Sequence, residues 1–313
     1  MKAQHLLIDA LTSCPVLTSG VLALGNFDGV HIGHRAVVGA AVQKAREMGL
    51  PAYALTFSPH PYTFFRTDKV PFRLTTSSSK VRYLKEAGAN EVVALAFTPE
   101  LAALSADDFI KRILIESFDV KHVTIGFDYA FGAHRKGNGA LLHKRLDPLG
   151  IGITQVPPCR DAHGEIISST RIREALRAGE VELANELLGR PFMIEGEVRP
   201  GDKRGRALDM PTANMSLDDY IRPLYGVYAI MARRADDPVA WPGVANIGIR
   251  PTIGDNKELL EFHLFGCSGS FYGEHWEIEL HHFLRPERTF ANLEELAAQI
   301  KLDAQRARNV LIG

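Results

Sequence analysis

A chain of 313 residues, 46% hydrophobic and 23% charged, has an ordinary globular composition and room for two domains. Its formal net charge of −1, with no basic run and no polybasic patch, argues against a nucleic-acid partner and against a membrane surface. The three cysteines, Cys14, Cys159 and Cys267, lie too far apart for a disulfide framework or a zinc spacing, and no signal peptide or run of about 20 apolar residues is present, so a cytoplasmic location is expected.

The first twenty or so residues carry no readable pattern. From there strand-like runs at 21–25, 52–57, 91–97 and 121–126 alternate with helix-like runs near 34–48, 77–87 and 106–117. Such alternation predicts a parallel sheet covered on both faces, with ligands beyond the carboxyl ends of its strands. The first run, Val21-Leu22-Ala23-Leu24, passes into Gly25-Asn26-Phe27-Asp28-Gly29 and then into a helix that carries His31 and His34 at its start. Residues three apart share a helix face, so the two imidazoles point into one space near the positive end of a helix dipole. A phosphate is readily held there, and Gly33, with no side chain, allows close approach.

The second run ends in Phe57-Ser58-Pro59-His60-Pro61, which reads as a stiff, extended turn, with aromatics continuing to Phe65. The fourth ends in Gly126-Phe127-Asp128-Tyr129-Ala130-Phe131-Gly132, a glycine-rich loop. At Ser168-Ser169-Thr170-Arg171-Ile172-Arg173 a capped helix begins, giving a second helix start for phosphate with a guanidinium beside it. Arg171 is the expected phosphate ligand, and Arg173, two residues on, is expected at the surface or in a salt bridge. Gly189 followed by Pro191 is a helix stop, and it places the domain boundary between 1–188 and 189–313.

Beyond it, short alternating runs at 193–199, 226–232, 243–249, 259–265 and 275–283 predict an antiparallel barrel or sandwich. A last helix starts at Asn292, with Glu295 set for a capping box and Leu293, Leu296, Ala297 and Ile300 as an apolar stripe for the barrel. A basic, glycine-punctuated loop over 196–214 can cradle phosphates with backbone N–H groups although no P-loop motif exists. Thr212 and Asn214, two apart on an extended segment, offer hard oxygen suited to Mg²⁺.

The His31-Ile32-Gly33-His34 stretch resembles the nucleotidyltransferase signature of the prokaryotic bifunctional riboflavin kinase/FMN adenylyltransferase family. Gly-x-x-Gly-Arg followed by Pro211-Thr212-Ala213-Asn214 resembles its riboflavin kinase motif, and the likeness extends through Tyr225-Gly226, Asn246-Ile247-Gly248, Phe271-Tyr272-Gly273 and Leu284-Arg285-Pro286-Glu287. Asp209 stands where the family usually has glycine. The resemblance implies a Rossmann-like nucleotidyltransferase domain with a parallel sheet, then an antiparallel β-barrel riboflavin kinase domain with a terminal helix. It implies FAD synthesis from riboflavin and ATP by way of FMN, with Mg²⁺, and a transient hand-over of flavin to apo-flavoproteins.

Residue by residue, it implies catalytic roles for His31, His34, Arg171 and Glu261. Nucleotide binding falls to Gly25, Phe27, Asp28, Gly33, Ser168, Ser169, Thr170, Gly201, Gly205 and Arg206. Flavin contacts fall to Pro59, His60, Pro61, Phe65, Asp128 and Phe131. Glu261 is expected to take the proton of the riboflavin hydroxyl, because strand alternation puts Leu260, Phe262 and Leu264 in the core and turns Glu261 away from it. Glu258 is second choice. The alternatives are a nucleotidylyltransferase for nicotinate mononucleotide or phosphopantetheine, and a flavin-binding regulatory module without activity.

Overall fold

In the computed structural model, which describes residues 6–8, 19–66, 68, 70–199, 212–235, 237–252, 255–267, 269 and 271–312, the alternation of the first half folds as a six-stranded parallel sheet. Its strands are β1 (Leu6–Ile8), β2 (Val21–Leu24), β3 (Ala52–Ser58), β4 (Glu91–Ala96), β5 (His122–Gly126) and β6 (Gly152–Val156), in the order β1-β4-β3-β2-β5-β6. Alternate side chains feed two cores. Leu22, Leu24, Leu55, Val93 and Leu95 enter one, with Phe109, Ile113 and Leu114. Val21, Ala23, Ala52 and Ala54 enter the other, where their small side chains admit α1 (Ile32–Met48) through Val37, Val38, Ala41 and Ala45.

The remaining helices of this half are α2 (Pro61–Phe65), α3 (Ser77–Glu86), α4 (Pro99–Ala103), α5 (Ala106–Asp108), which runs into a π-helical stretch over Phe109–Ser117, and α6 (Gly139–Leu146). Both edge strands, β1 and β6, escape the sequence pattern. An edge strand is half-exposed and short, so neither a long apolar run nor clean alternation marks it; Gly152–Val156 is partly exposed along its whole length.

Two further helices follow, α7 (Ser169–Ala178) and α8 (Val181–Leu188), and α8 ends as expected at Gly189, whose left-handed backbone returns its N–H to Asn185 and Glu186. A closed antiparallel barrel then forms from β7 (Phe192–Arg199), β8 (Ala213–Ser216), β9 (Gly226–Arg234), β10 (Trp241–Thr252), β11 (Asp255–Leu264) and β12 (His275–Pro286), in the order β10-β11-β8-β7-β12-β9. Ile194, Tyr228, Ile230, Ile247, Leu260, Phe262, Trp276 and Ile278 are buried there.

The terminal helix α9 (Leu293–Ile312) departs from its expected stripe. Leu293 is 72% exposed, and the buried residues are Gln299, Asp303, Ala304 and Ala307. The reason lies on the barrel: Arg285 of β12 presents a guanidinium whose Nε and Nη2 reach the Asp303 carboxylate at 3.0 and 2.8 Å, and Gln299 donates to Asp303 at 2.7 Å. A buried cation outranks an apolar stripe in deciding which face turns inward. At its start, Asn292 accepts from the Glu295 N–H at 2.8 Å, while the Glu295 carboxylate reaches the N–H of Ala291 rather than that of Asn292.

Two compact units result, residues 1–69 with 77–168, and residues 70–76 with 169–313. The change of strand character at Gly189 therefore comes twenty residues after the packing break. Helix α8 belongs with the barrel because Asn185 donates to Leu280 O at 2.9 Å and accepts from Phe192 N–H at 2.7 Å. Residues 70–76 join that unit through Arg73, whose N–H donates to Asp219 O at 3.0 Å and whose carbonyl accepts from Ile221 N–H at 2.8 Å.

Candidate functional site

Strand β2 is flanked by β3 on one side and β5 on the other, all parallel. After β2 the chain builds outward to β3 and β4, then returns across it to β5, so the crevice at its carboxyl end is a topological switch point. The loops that follow β2, β3 and β5 share that edge. They carry His31 and His34, Pro59-His60-Pro61, and Asp128 respectively.

The two histidines meet as expected and more closely than helical spacing alone requires. Their rings stack with centroids 3.6 Å apart and planes 19° apart. His31 is the N-cap of α1, its Nδ1 accepting from the His34 N–H at 3.3 Å. An accepting Nδ1 carries no proton, so His31 presents Nε2–H as its donor. Gly33 has a second reason to be glycine: a Cβ there would sit 3.1 Å from the His31 ring.

Phe27 and Gly25, expected on the nucleotide, also pack in support of the pair. Phe27 is 1% exposed and meets His34 edge-on at 5.4 Å. A Cβ at Gly25 would collide with the Phe27 ring at 2.8 Å. Asp28 is buried beside them.

The Pro59-His60-Pro61 loop is not extended throughout. His60 caps α2, accepting from Tyr62 N–H at 3.1 Å, and Pro61 opens the helix. Helix α2 delivers Phe64 and the exposed Phe65 to Phe97, with ring centroids 5.1 and 5.8 Å away, and Phe57 meets Phe97 at 5.7 Å. These rings meet edge-on in a cluster at the carboxyl ends of β3 and β4. Phe64 and Phe97 carry no motif, so sequence reading passed over them.

Asp128 is exposed, whereas Phe131, expected on the flavin, is 6% exposed and packs in the core. Its ring packs against Phe109 and Tyr129, and Gly137 lies so close across it that a Cβ would stand 2.7 Å from the ring. Phe131 and Gly137 also exchange backbone hydrogen bonds at 3.1 and 2.9 Å, which closes the loop.

Ser168 stands immediately before α7, Ser169 and Thr170 open it, and Arg171 lies in its first turn, within the second unit apart from Ser168. Arg173, expected at the surface or in a salt bridge, donates to Phe72 O at 2.8 Å and lays its guanidinium 5.0 Å from the Phe72 ring centroid.

On the barrel, strand register assembles a polar rung that no local pattern contains. Arg199, Asn214, Glu261 and Asn246 are successive cross-strand partners on β7, β8, β11 and β10. Directly paired residues share a face, here the one opposite Leu260 and Phe262. Asn214 is 4% exposed, and its Oδ1 is buried with no hydrogen-bond partner among the described residues. An orphaned amide oxygen beside a carboxylate fits a hard cation. Thr212 is exposed just ahead of β8. Among the described residues no cluster of three His, Cys, Asp or Glu could hold a metal. The expected ATP-loop residues Gly201, Gly205 and Arg206, and Asp209, lie outside the described residues.

Asn246 extends the rung by donating to the Glu287 carboxylate at 3.2 Å, and that carboxylate occupies the place a Gly248 Cβ would take. Glycine is thus required at 248 for Glu287 to lie over the strand. Glu258 is committed elsewhere: Arg222 Nε donates to it at 2.7 Å and Tyr225 OH donates to its other oxygen. Burial raises the Glu258 pKa, but these two donors and the Arg222 charge outweigh it and hold the carboxyl below the usual range. Burial and the same hydrogen bond push Tyr225 up to about 12.

Comparison with known proteins agrees with this two-part geometry. The FAD synthetase family model matches residues 15–171 and the riboflavin kinase model residues 188–311. A bifunctional riboflavin kinase/FMN adenylyltransferase of Escherichia coli K12 is 42% identical over 289 residues, 92% of this chain and 91% of the relative. The one from Bacillus subtilis is 39% identical over 92% of this chain and 91% of its own length. A solved structure from Streptococcus pneumoniae, described as a macrolide-efflux protein, matches with TM-score 0.87 and 30% identity, covering 97% of this chain and 99% of the other. No helix among the described residues is long and apolar enough to cross a membrane.

Proposed function

Because this chain belongs to the bifunctional riboflavin kinase/FMN adenylyltransferase family, it makes FMN from riboflavin and FAD from FMN, and we propose that the residues described above divide the two reactions between the two units. In the adenylyl step an FMN phosphate oxygen bonds to the α-phosphorus of ATP, and the bond to the departing pyrophosphate breaks. That nucleophile is already anionic and needs no base. The demand is to hold two anions in line and to offset the charge that develops on them. His31 through Nε2–H, His34 and the start of α1 meet that demand. The Phe57, Phe64, Phe65 and Phe97 cluster, Pro59, His60, Pro61 and Asp128 hold the flavin.

In the kinase step the riboflavin 5′-hydroxyl must lose a proton as its oxygen bonds to the γ-phosphorus of ATP and the bond to the departing ADP breaks. Glu261 is the acceptor. It lies on the rung directly opposite Asn214, whose amide oxygen is buried. Thr212 and Asn214 would hold Mg²⁺, which neutralises charge on the ATP phosphates when bound.

The observation that carries the division is the stacked His31–His34 pair at the switch point of the first unit's sheet. It is tested by supplying riboflavin, ATP and Mg²⁺ to wild type, His31→Ala and His34→Ala, and separating the flavins by chromatography. Wild type yields FMN and FAD, whereas each histidine variant is expected to stop at FMN. Equal loss of both products in a folded variant would overturn the assignment.

A further inference from the structure

Lys80 of α3 is 9% exposed, an unusual burial for lysine. Its ammonium lies 3.1 Å from the carbonyl oxygen of Asn26. The same oxygen already accepts from Thr56 Oγ1 at 2.9 Å. Taking an ammonium out of water costs several kcal/mol before any partner repays it. A neutral hydroxyl already donates to this carbonyl, and the buried ammonium is its second donor.

What the two donors hold is the turn that carries the histidines. Phe27, the next residue, has φ 50° and Val30 has φ 41°, both left-handed and neither a glycine. Each such residue costs about 1–3 kcal/mol and persists only where its surroundings over-determine it. The Asn26 carbonyl and the Phe27 nitrogen belong to one planar peptide. Two donors on that carbonyl, from β3 and α3, therefore fix the plane about which the Phe27 step turns. Phe27 in turn meets His34 edge-on, and His34 stacks on His31.

We propose that Lys80 is a positioning residue for adenylyl transfer: with Thr56 it clamps the Asn26 carbonyl, and the clamp sets the Phe27 turn that holds the two imidazoles on the reacting phosphate. The role rests on the assignment of the histidine pair to that step. It predicts an effect on turnover rather than on binding, because the ammonium acts through the turn.

The test uses the full chain as wild type, Lys80→Met, Thr56→Val, the double variant and His31→Ala. It measures kcat and the KM for ATP in forming FAD from supplied FMN, with urea unfolding as the measure of folding and phosphorylation of riboflavin as the control activity of the other unit. Lys80→Met is expected to lose about a hundredfold in kcat, the scale of a displacement near 1 Å, with KM for ATP and the kinase rate within a few-fold of wild type. The double variant is expected to be little worse than Lys80→Met alone, since both changes release one carbonyl. Wild-type kcat in Lys80→Met, a loss confined to KM, or losses that multiply in the double variant would each overturn the proposal. Should Lys80→Met lower the urea midpoint so far that the variant is not folded, Thr56→Val decides: lowered kcat at constant KM supports the clamp, and unchanged kcat refutes it. An active His31→Ala would sink the histidine assignment itself, whereas an active Lys80→Met beside an inactive His31→Ala sinks only the clamp.

Discussion

Glu258 and Glu261 sit three residues apart on β11, on opposite faces, and their neighbours give them different work. Glu258 is tied by Arg222 and Tyr225 and held below the usual carboxylate range, which makes it the poorer proton acceptor. Glu261 lies between Asn214 and Asn246 on the rung. Glu261→Gln, which preserves shape, is expected to slow riboflavin phosphorylation by about 10²–10⁴, the range for a positioned base. Adenylylation of supplied FMN should be almost untouched. Both rates are measured on one preparation, and a kinase rate within a few-fold of wild type removes Glu261 from the mechanism.

Arg233 supports a second residue-scale expectation. It reaches Glu277, 2% exposed, at 2.6 Å and Glu279 at 3.0 Å. Removing the guanidinium takes a charged donor from a buried carboxylate, so Arg233→Met should cost about 1.5–3 kcal/mol in urea unfolding near neutral pH. Burial pushes Glu279 up, but the hydrogen bond from His281 and the charge and hydrogen bond of Arg233 outweigh it and depress its pKa below 4.5. A depressed carboxyl adds stability that is present above the unfolded pKa and is lost as pH falls through the folded one. Without Arg233 that depression shrinks. The variant should therefore lose less of its own stability than wild type does on acidification below pH 4.5. An equally steep acid limb would count against the pairing.

At the scale of elements, α9 is anchored through Asp303, with Ala304 and Ala307 packed beside it, and not through Leu293. Asp303→Ala leaves the Arg285 guanidinium, whose side chain is 15% exposed, without its carboxylate. A loss of about 3–5 kcal/mol is expected. Leu293→Ser, at a side chain facing water, should change stability by less than about 0.5 kcal/mol. Reversal of that order in thermal unfolding would restore the apolar stripe as the anchor. Its misreading has a plain cause: periodicity reports which residues are apolar, while the burial of a helix face also depends on what the partner surface offers.

At the scale of the whole molecule, the kinase motifs and the fold that carries them do not begin together. Every motif lies beyond Gly189, yet α7, α8 and residues 70–76 pack with the barrel. A fragment of residues 190–313 lacks Asn185, the donor to Leu280 and the acceptor from Phe192. It is expected to unfold at lower urea than residues 169–313. The longer fragment should in turn fall below the barrel of the full chain, since it lacks the Arg73 pairing with Asp219 and Ile221 and the Thr76 hydroxyl donating to Glu195. Equal midpoints for all three would show that the added elements are passengers.

The sequence by itself determined what is local or covalently near. The strand-to-helix turn with His31 and His34, the stop at Gly189, the core face of Leu260 and Phe262, and both motif sets follow from spacing of a few residues. Tertiary structure alone decided what depends on register and on packing between distant segments. It aligned Arg199, Asn214, Glu261 and Asn246 into one rung and drew Phe131 into the core behind Gly137. It turned Asp303 inward to Arg285, brought Phe64 to Phe97, and set Lys80 and Thr56 on one carbonyl. The physical reason is the range of the forces read in each case. Helical and strand periods are written in consecutive residues, whereas a cross-strand partner is chosen by hydrogen bonds and close packing among all the strands at once.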